Sequence, residues 1–314
     1  MADSEPPKRT GWEDLPNELK SAILQQMGDL GSLGGILHAS PTTYRTFGNA
    51  VPYLAEVILK TGYVCGHTAV LFRICALIRS GKLPVDSVEE FGKRVTKEAL
   101  RPDGRIRETN VGIAPRNLHR DVDPAIVRGL LATARQASNL AIECLDFYLG
   151  RFAALRPQHP LQRKFKAYTK VKGTWQSRPS GNPVKARVCE SISWAEEQRA
   201  VRSVWRLQLI YDLKRAVRKK VLRWTDAAQL ESTKALGPPS DGPLQAPPSF
   251  YGSHKNYEKF LNPVMDLWER MGYSLTTDGP EYEQINSMVA FVHERYGEHS
   301  AEHMRDGHLC LSDL

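Results

Sequence analysis

Several signals that identify common protein classes are missing from this chain of 314 residues. No uninterrupted apolar run reaches the length of a membrane span, and the amino terminus is polar and charged where a signal peptide would be apolar. The five cysteines are odd in number, scattered and never spaced as Cys-x-x-Cys, so we predict neither a disulfide framework nor a structural zinc site. We therefore expect an intracellular protein of the cytoplasm or nucleus that has no membrane partner.

Signatures of catalysis are missing as well. The glycine cluster between residues 28 and 35 lacks the Gly-Lys-Ser/Thr ending of a phosphate loop, so we interpret it as short connections between helices. His299 and His303 could share a helix face, but a pair without a third ligand is more typical of a polar tail than of a metal site. No Gly-x-Ser-x-Gly elbow is present. We predict no catalytic residue, no metal and no cofactor, although a small enzyme of unrecognised type stays open.

Alternation of apolar and polar residues with a period of two is never sustained, so no convincing sheet is predicted. Apolar residues instead recur every three or four positions over 67–80, over 124–155 and over 193–224. The second of these stretches is one long helix or two consecutive helices. Ser193 and Glu196 form the capping box that starts the third. The pattern predicts a mainly α-helical protein.

The stretch from residue 11 to residue 50 contains three predicted helix starts. Pro16 suits the first position of one helix, Ser32 can cap a second, and Ser40 followed by Pro41 signals a third. The apolar stripes of the three helices comprise Leu19, Ile23, Leu24, Met27, Leu33, Ile36, Leu37, Tyr44 and Phe47. Three short helices cannot enclose so many apolar side chains, so the surplus must pack on the rest of the chain or on another protein.

The order of residues in this stretch resembles the F-box, in the variant found in many proteins of filamentous fungi. Leu15-Pro16 matches the opening Leu-Pro of that motif, and Ile23-Leu24 matches the apolar pair of its first helix. The later matching positions are Asp29-Leu30, Ser32-Leu33, His38-Ala39-Ser40-Pro41 and Tyr44. Two features depart from the motif: Lys20 stands where a second leucine is common, and Gly34-Gly35 lie inside the second helix.

The resemblance implies an N-terminal three-helix F-box-like unit followed by an irregular helical domain. An F-box docks on a Skp-type protein, and through it on a cullin of a ubiquitin ligase, while the remaining chain recruits an unknown protein substrate. On this interpretation the protein is a noncatalytic adaptor. The side chains expected to contact the Skp-type partner are Leu15, Pro16, Ile23, Leu24, Leu33 and Leu37. The competing interpretation is an ordinary helical subdomain whose leucines face a core.

A second stretch supports the same resemblance. Residues 194–211 resemble a helix of these fungal F-box proteins, in which Glu, Arg, an aromatic residue, Arg and Leu recur before a tyrosine. The resemblance thus reaches about residue 225. The last ninety residues are not covered by it.

Basic residues concentrate in one quarter of the chain. Residues 151–224 contain 19 lysines and arginines against four acidic residues, whereas 225–314 contain 14 acidic residues against six basic ones. Cations alternate with aromatic rings at Lys164, Phe165, Lys166, Tyr168, Lys170 and Trp175. We expect this segment to dock the acidic C-terminal segment or another protein. The alternative is a nucleic-acid-binding helical protein that uses residues 156–224, since cations pair with phosphates and rings stack on bases.

The chain therefore divides into five predicted parts. These are a disordered N-terminus (1–10), an F-box-like domain (11–50), a helical domain with a basic loop (51–236), a Pro/Gly-rich linker (237–248) and a C-terminal acidic helical segment (249–314). Because the linker cannot continue a helix, the last part is expected to be separate or loosely docked.

Overall fold

The computed structural model describes residues 11–88, 90–91, 94, 117–118, 122–154, 158–160, 181–183, 191–224, 284–285, 287–292 and 294–296. Within these ranges the fold is mainly α, as predicted. A 3₁₀ turn at Trp12–Asp14 precedes helices α1 (Asn17–Gln25), α2 (Leu30–Ala39), α3 (Pro41–Phe47), α4 (Val51–Thr61), α5 (Gly66–Arg79), α6 (Pro124–Ala154) and α7 (Trp194–Arg218).

A short strand pair lies inside the segment that we predicted to be an irregular basic loop. Strands β1 (Gln158–Pro160) and β2 (Gly181–Pro183) pair antiparallel, with His159 opposite Asn182. Three residues per strand are too few for the alternating pattern that identifies a strand in a sequence.

The helix starts of the N-terminal unit follow ordinary capping chemistry, with two corrections to the predicted boundaries. Pro16 precedes α1 and is not its first residue. Asp29, and not Ser32, caps α2, because its carboxylate accepts the backbone N–H of Ser32 at 2.7 Å. The predicted cap of α3 is confirmed, since the Ser40 hydroxyl accepts the N–H of Thr43 and Pro41 follows it.

Helix α2 packs antiparallel and very close to α6. A Cβ atom placed on Gly31 would lie 3.3 Å from Cα of Arg135, and one on Gly34 would lie 3.1 Å from the carbonyl oxygen of Leu131. Gly31 is therefore a contact position on α2, although we predicted it to lie in a connection between helices, and Gly34 lies inside the second helix, where the comparison with the motif placed it. Their lack of a side chain allows two helix backbones to approach each other.

Helices α5 and α7 run parallel and in register. Gln198 Oε1 accepts the N–H of Cys65, the ring of Phe72 packs against that of Trp205 at 5.5 Å, and Arg79 pairs with Asp212. Contacts thus recur every seven residues on both helices with a constant offset of 133, which is the spacing of a coiled coil. Helix α7 therefore packs on helices that precede it in the chain.

The Arg79–Asp212 ion pair also connects these two helices to α6. Arg79 Nε donates to Asp212 Oδ2 at 2.8 Å, its Nη2 donates to the hydroxyl of Thr133, and Gln208 donates to the second carboxylate oxygen. Burial raises the pKa of the Asp212 carboxyl, although Arg79 opposes this shift. Because folding raises this pKa, the contribution of the carboxyl to the free energy of unfolding falls as the pH rises above 3.8.

The described part of the C-terminal acidic segment belongs to the main core. Within 284–296 the apolar residues Ile285, Met288, Val289 and Val292 are all buried. Phe291 packs against Phe147 of α6 at 5.3 Å. We predicted that the segment is separate or loosely docked. For the described part this prediction is wrong. Residues 1–10, the linker 237–248 and the start of the C-terminal segment, from 249 to 283, lie outside the described residues.

Among the helices that the structure describes, none combines the length and the hydrophobicity that crossing a bilayer requires.

Candidate docking surface

The first helix presents an apolar surface that nothing in the described chain covers. Leu19 and Ile23 lie one turn apart on α1 and expose 52% and 43% of their surface. Pro16 is exposed and Leu15 is partly exposed just before the helix begins. We call these four residues the α1 ridge. An exposed apolar group next to the Leu-Pro of the motif is the arrangement expected of a site that binds another protein.

Three of the six predicted contact residues are not available to a partner. Leu24 and Leu33 are fully buried and Leu37 nearly so, all within the core that the N-terminal unit shares with the later helices. A buried side chain stabilises the fold but cannot contribute surface to another protein. We correct the candidate site accordingly, from the six predicted residues to the α1 ridge.

Leu19 is the ridge residue absent from our predicted contact set. The sequence pattern could have indicated it, because Leu15, Leu19 and Ile23 recur at intervals of four residues, which is the spacing of residues on one face of a helix. Lys20 and Leu24 show the same interval one position later. Only packing shows which of the two faces is buried, and it is the face with Lys20.

Lys20 occupies the place of a second leucine without leaving a buried charge unpaired. Its side chain is buried, and its Nζ donates to the carbonyl oxygen of Glu13 at 3.0 Å. The lysine thereby ties α1 to the 3₁₀ turn that precedes Leu15 and Pro16. A hydrogen-bonded amine is compatible with a buried position, whereas an unpaired one would be costly.

A chain of side-chain hydrogen bonds holds the same turn against α3. Trp12 Nε1 donates to the Thr43 hydroxyl at 2.7 Å, and the Ser40 hydroxyl donates to Glu13 Oε1 at 2.6 Å. The hydroxyl oxygens of Ser40 and Thr43 lie 2.8 Å apart. Because the hydroxyl hydrogen of Ser40 is donated to Glu13, the hydroxyl of Thr43 must donate to Ser40. The hydrogen bonds therefore run from Trp12 to Thr43, from Thr43 to Ser40 and from Ser40 to Glu13.

The chain of hydrogen bonds ends on the ionised form of Glu13. The hydrogen bond from Ser40 lowers the pKa of the Glu13 carboxyl below its usual value of 4.5. Since folding lowers this pKa, the stabilisation is present above pH 4.5 and is lost as the pH falls through the lowered value. The hydrogen bond that holds the turn before Leu15 and Pro16 is therefore present at neutral pH.

The end of α3 is held by a residue from α6. Arg128 Nη1 donates to the carbonyl oxygen of Gly48 at 2.9 Å, and its guanidinium lies 5.1 Å from the ring centre of Tyr44. Tyr44 is one of the residues that match the fungal F-box motif. Its ring is exposed on one side and covered by a cation on the other.

One thiol in the described chain has an unusual environment. Cys65 precedes α5, and its Sγ lies 3.9 Å from Nδ1 of His67. The hydrogen bond with His67 lowers the pKa of the Cys65 thiol to about 7, whereas burial raises that of Cys144 to about 12. Cys65 is therefore partly ionised at neutral pH, and the buried Cys144 is not.

The other predicted sites fall mostly outside the described residues. This holds for the aromatic and basic positions Lys164, Phe165, Lys166, Tyr168, Lys170 and Trp175, and for the C-terminal histidines. Among the residues that are described, no group of three metal-ligating side chains comes together. Comparison of the chain with protein-family models, with curated proteins and with solved structures found no match in any of the three.

Proposed function

We propose that this chain is an F-box-like adaptor whose α1 ridge docks on a Skp-type protein of a cullin-based ubiquitin ligase. The remaining helices recruit a protein substrate. The observation that carries the proposal is the position of the ridge: Leu19 and Ile23 are exposed directly after the Leu-Pro pair that opens the motif.

The packing behind the ridge supports this proposal. The hydrogen bonds of Trp12 and Lys20 hold the turn before α1, and the close contact of α2 with α6 joins the N-terminal unit to the main body. A surface on such a preorganised support loses little conformational entropy when it binds. It would also hold a substrate-binding body in a constant orientation relative to the ligase.

The test is a binding measurement with a purified Skp-type protein. Replacing Ile23 by Asp places a charge in the ridge without touching the core, and we expect affinity to fall about 30-fold, which corresponds to about 2 kcal/mol. Leu19→Asp should have a similar effect. Isothermal titration calorimetry gives both constants, and circular dichroism checks that each variant is folded.

Ile142→Asp is the matched control. Ile142 lies on α6, and its exposed fraction of 43% equals that of Ile23. This variant makes the same chemical change at the same exposure and should bind as the wild type does. If the wild type does not bind the Skp-type protein, or if the Ile142 variant loses as much affinity as the Ile23 variant, the proposal is wrong.

A further inference from the structure

Helix α7 ends in a tight turn that carries several basic side chains. The N–H of Val221 donates to the carbonyl oxygen of Ala216 and the N–H of Lys220 donates to that of Val217, which together form a Schellman motif. Lys220 has a φ of 55°, a left-handed conformation that glycine adopts more easily. A lysine thus occupies a backbone position where the turn itself would favour a residue without a side chain.

The basic side chains around this turn are accessible to solvent, and the backbone that carries them is held in place by packing. Lys219, Lys220 and Arg223 are exposed and Arg218 is partly exposed. Trp224 anchors the segment, because it is buried and its Nε1 donates to the carbonyl oxygen of Val85 at 2.8 Å. We call Arg218, Lys219, Lys220 and Arg223 the basic end of α7.

The end of the parallel helix α5 lies beside this surface. A Cβ atom on Gly81 would lie 3.0 Å from Cγ1 of Val221, and the exposed Lys82 follows Gly81 in the sequence. The C-terminal ends of two helices therefore meet at one place in the molecule. Asp86 is also exposed in this region, but the balance of charge stays positive.

Neutralising a helix dipole does not account for all of these cations. The favourable effect of a cation on a helix end falls off within the last turn, which contains Arg215 and Arg218. Lys219, Lys220 and Arg223 lie beyond that turn. Among the residues that the structure describes, no carboxylate forms an ion pair with any of these three.

We propose that the basic end of α7 binds the phosphate backbone of nucleic acid. The one carboxylate described in the acidic C-terminal segment, that of Glu294, pairs with Arg151 at the other end of the basic quarter, at 2.7 Å, and does not reach the basic end of α7. An acidic protein would find the same cations, but a phosphate backbone also releases condensed counterions when it binds, which adds a driving force. This inference concerns a different surface from the α1 ridge and does not depend on the adaptor proposal.

The experiment replaces three of the cations together, as Lys219→Gln, Lys220→Gly and Arg223→Gln. The glycine removes a charge and suits the left-handed backbone, so the fold should not be weakened there. Binding to a single-stranded oligouridylate of about 20 nucleotides is measured by fluorescence anisotropy between about 50 and about 200 mM salt. We expect affinity at low salt to fall at least about tenfold and the slope of log K against log salt to decrease by about 2.

A second triple variant provides the control, with the same loss of charge at exposed sites on α3, α4 and α6: Arg45→Gln, Lys60→Gln and Arg135→Gln. Its affinity should stay within about twofold of the wild type, since affinity set by specific contacts depends on where the cations lie. Equal losses in both triple variants would mean that net charge alone drives binding and would overturn the proposal. So would unchanged RNA binding by the first variant.

A polyglutamate peptide of about 20 residues separates the two classes of polyanion. We expect it to bind at least about tenfold more weakly than the RNA, because it lacks the phosphate counterion effect. Comparable binding of the peptide would assign the surface to an acidic protein instead. Both triple variants should still bind the Skp-type protein as the wild type does, so a failure of either proposal is recognised separately.

Discussion

Gly34 and Gly35 are neighbours in α2, but a methyl group would meet different surroundings at the two positions. At Gly34 it would press on the backbone of Leu131 in α6, whereas at Gly35 no atom beyond the neighbouring residues and backbone of its own helix would lie within 4 Å. From the sequence alone, both glycines have the same effect, a cost of about 1 kcal/mol each relative to alanine in a helix. The structure separates them, because only Gly34 is needed for the close approach of α2 and α6.

We therefore predict opposite effects for the two alanine substitutions. Gly35→Ala should raise the free energy of unfolding by up to about 1 kcal/mol, because alanine loses less conformational entropy in a helix. Gly34→Ala should lower it by about 1–3 kcal/mol, because the carbonyl group of Leu131 belongs to a helix backbone and cannot easily move. Urea unfolding of both variants measures the difference. A stabilising Gly34→Ala would show that the two helices are not in close contact.

At the scale of elements, two ion pairs of similar length differ in their surroundings. Arg79–Asp212 joins α5 to α7 at 2.8 Å, with Asp212 buried, while Arg151–Glu294 joins α6 to the C-terminal segment at 2.7 Å with both partners well exposed. Water screens the second pair more strongly than the first. The pair between α5 and α7 therefore contributes more to holding its two elements in register.

Double-mutant cycles should show this difference. Truncating Asp212 to Ala should cost about 3 kcal/mol, because Arg79 and Gln208 lose the acceptor that they share. The coupling energy of Arg79 with Asp212 should exceed about 1 kcal/mol, whereas that of Arg151 with Glu294 should stay below about 1 kcal/mol. Chemical denaturation of the single and double alanine variants gives both values. Equal coupling energies would contradict the assigned burial.

At the scale of the whole molecule, the C-terminal segment completes the core. The hydroxyl of Tyr148 donates to the backbone carbonyl of Ser287, that of Tyr296 donates to Glu143, and the ring of Phe291 packs against Phe147. Aromatic and apolar contacts dominate this interface. Charge acts beside these contacts, because Glu294, the one acidic residue described within 284–296, pairs with Arg151 at the start of the basic quarter.

Phe291→Ala tests whether the segment folds together with the rest of the chain. Phe291 is 1% exposed, so its truncation should lower the free energy of unfolding by about 3–5 kcal/mol and shift the main thermal transition. Phe152→Ala, at a phenylalanine of α6 that is 45% exposed, should change it by less than about 1 kcal/mol. A separate segment would leave the main transition of the Phe291 variant where it is in the wild type. Differential scanning calorimetry distinguishes these outcomes.

Local patterns in the sequence determined the helices themselves. The capping box of Ser193 with Glu196 and the cap of Ser40 before Pro41 were both predicted and are both present. Such signals act between residues that are close in the chain, so they can be recognised without knowing the fold. The mainly α-helical class follows from them.

Tertiary structure decided which faces of those helices are buried. Leu15, Leu19 and Ile23 recur every four residues on one face of α1, and Lys20 and Leu24 do so on the next face. Which of the two faces is buried depends on neighbouring helices that the pattern does not describe. The same is true of Gly34 and of the C-terminal segment, whose contacts with α6 cross long stretches of chain. Packing is a property of pairs of surfaces, whereas a sequence pattern describes one surface at a time.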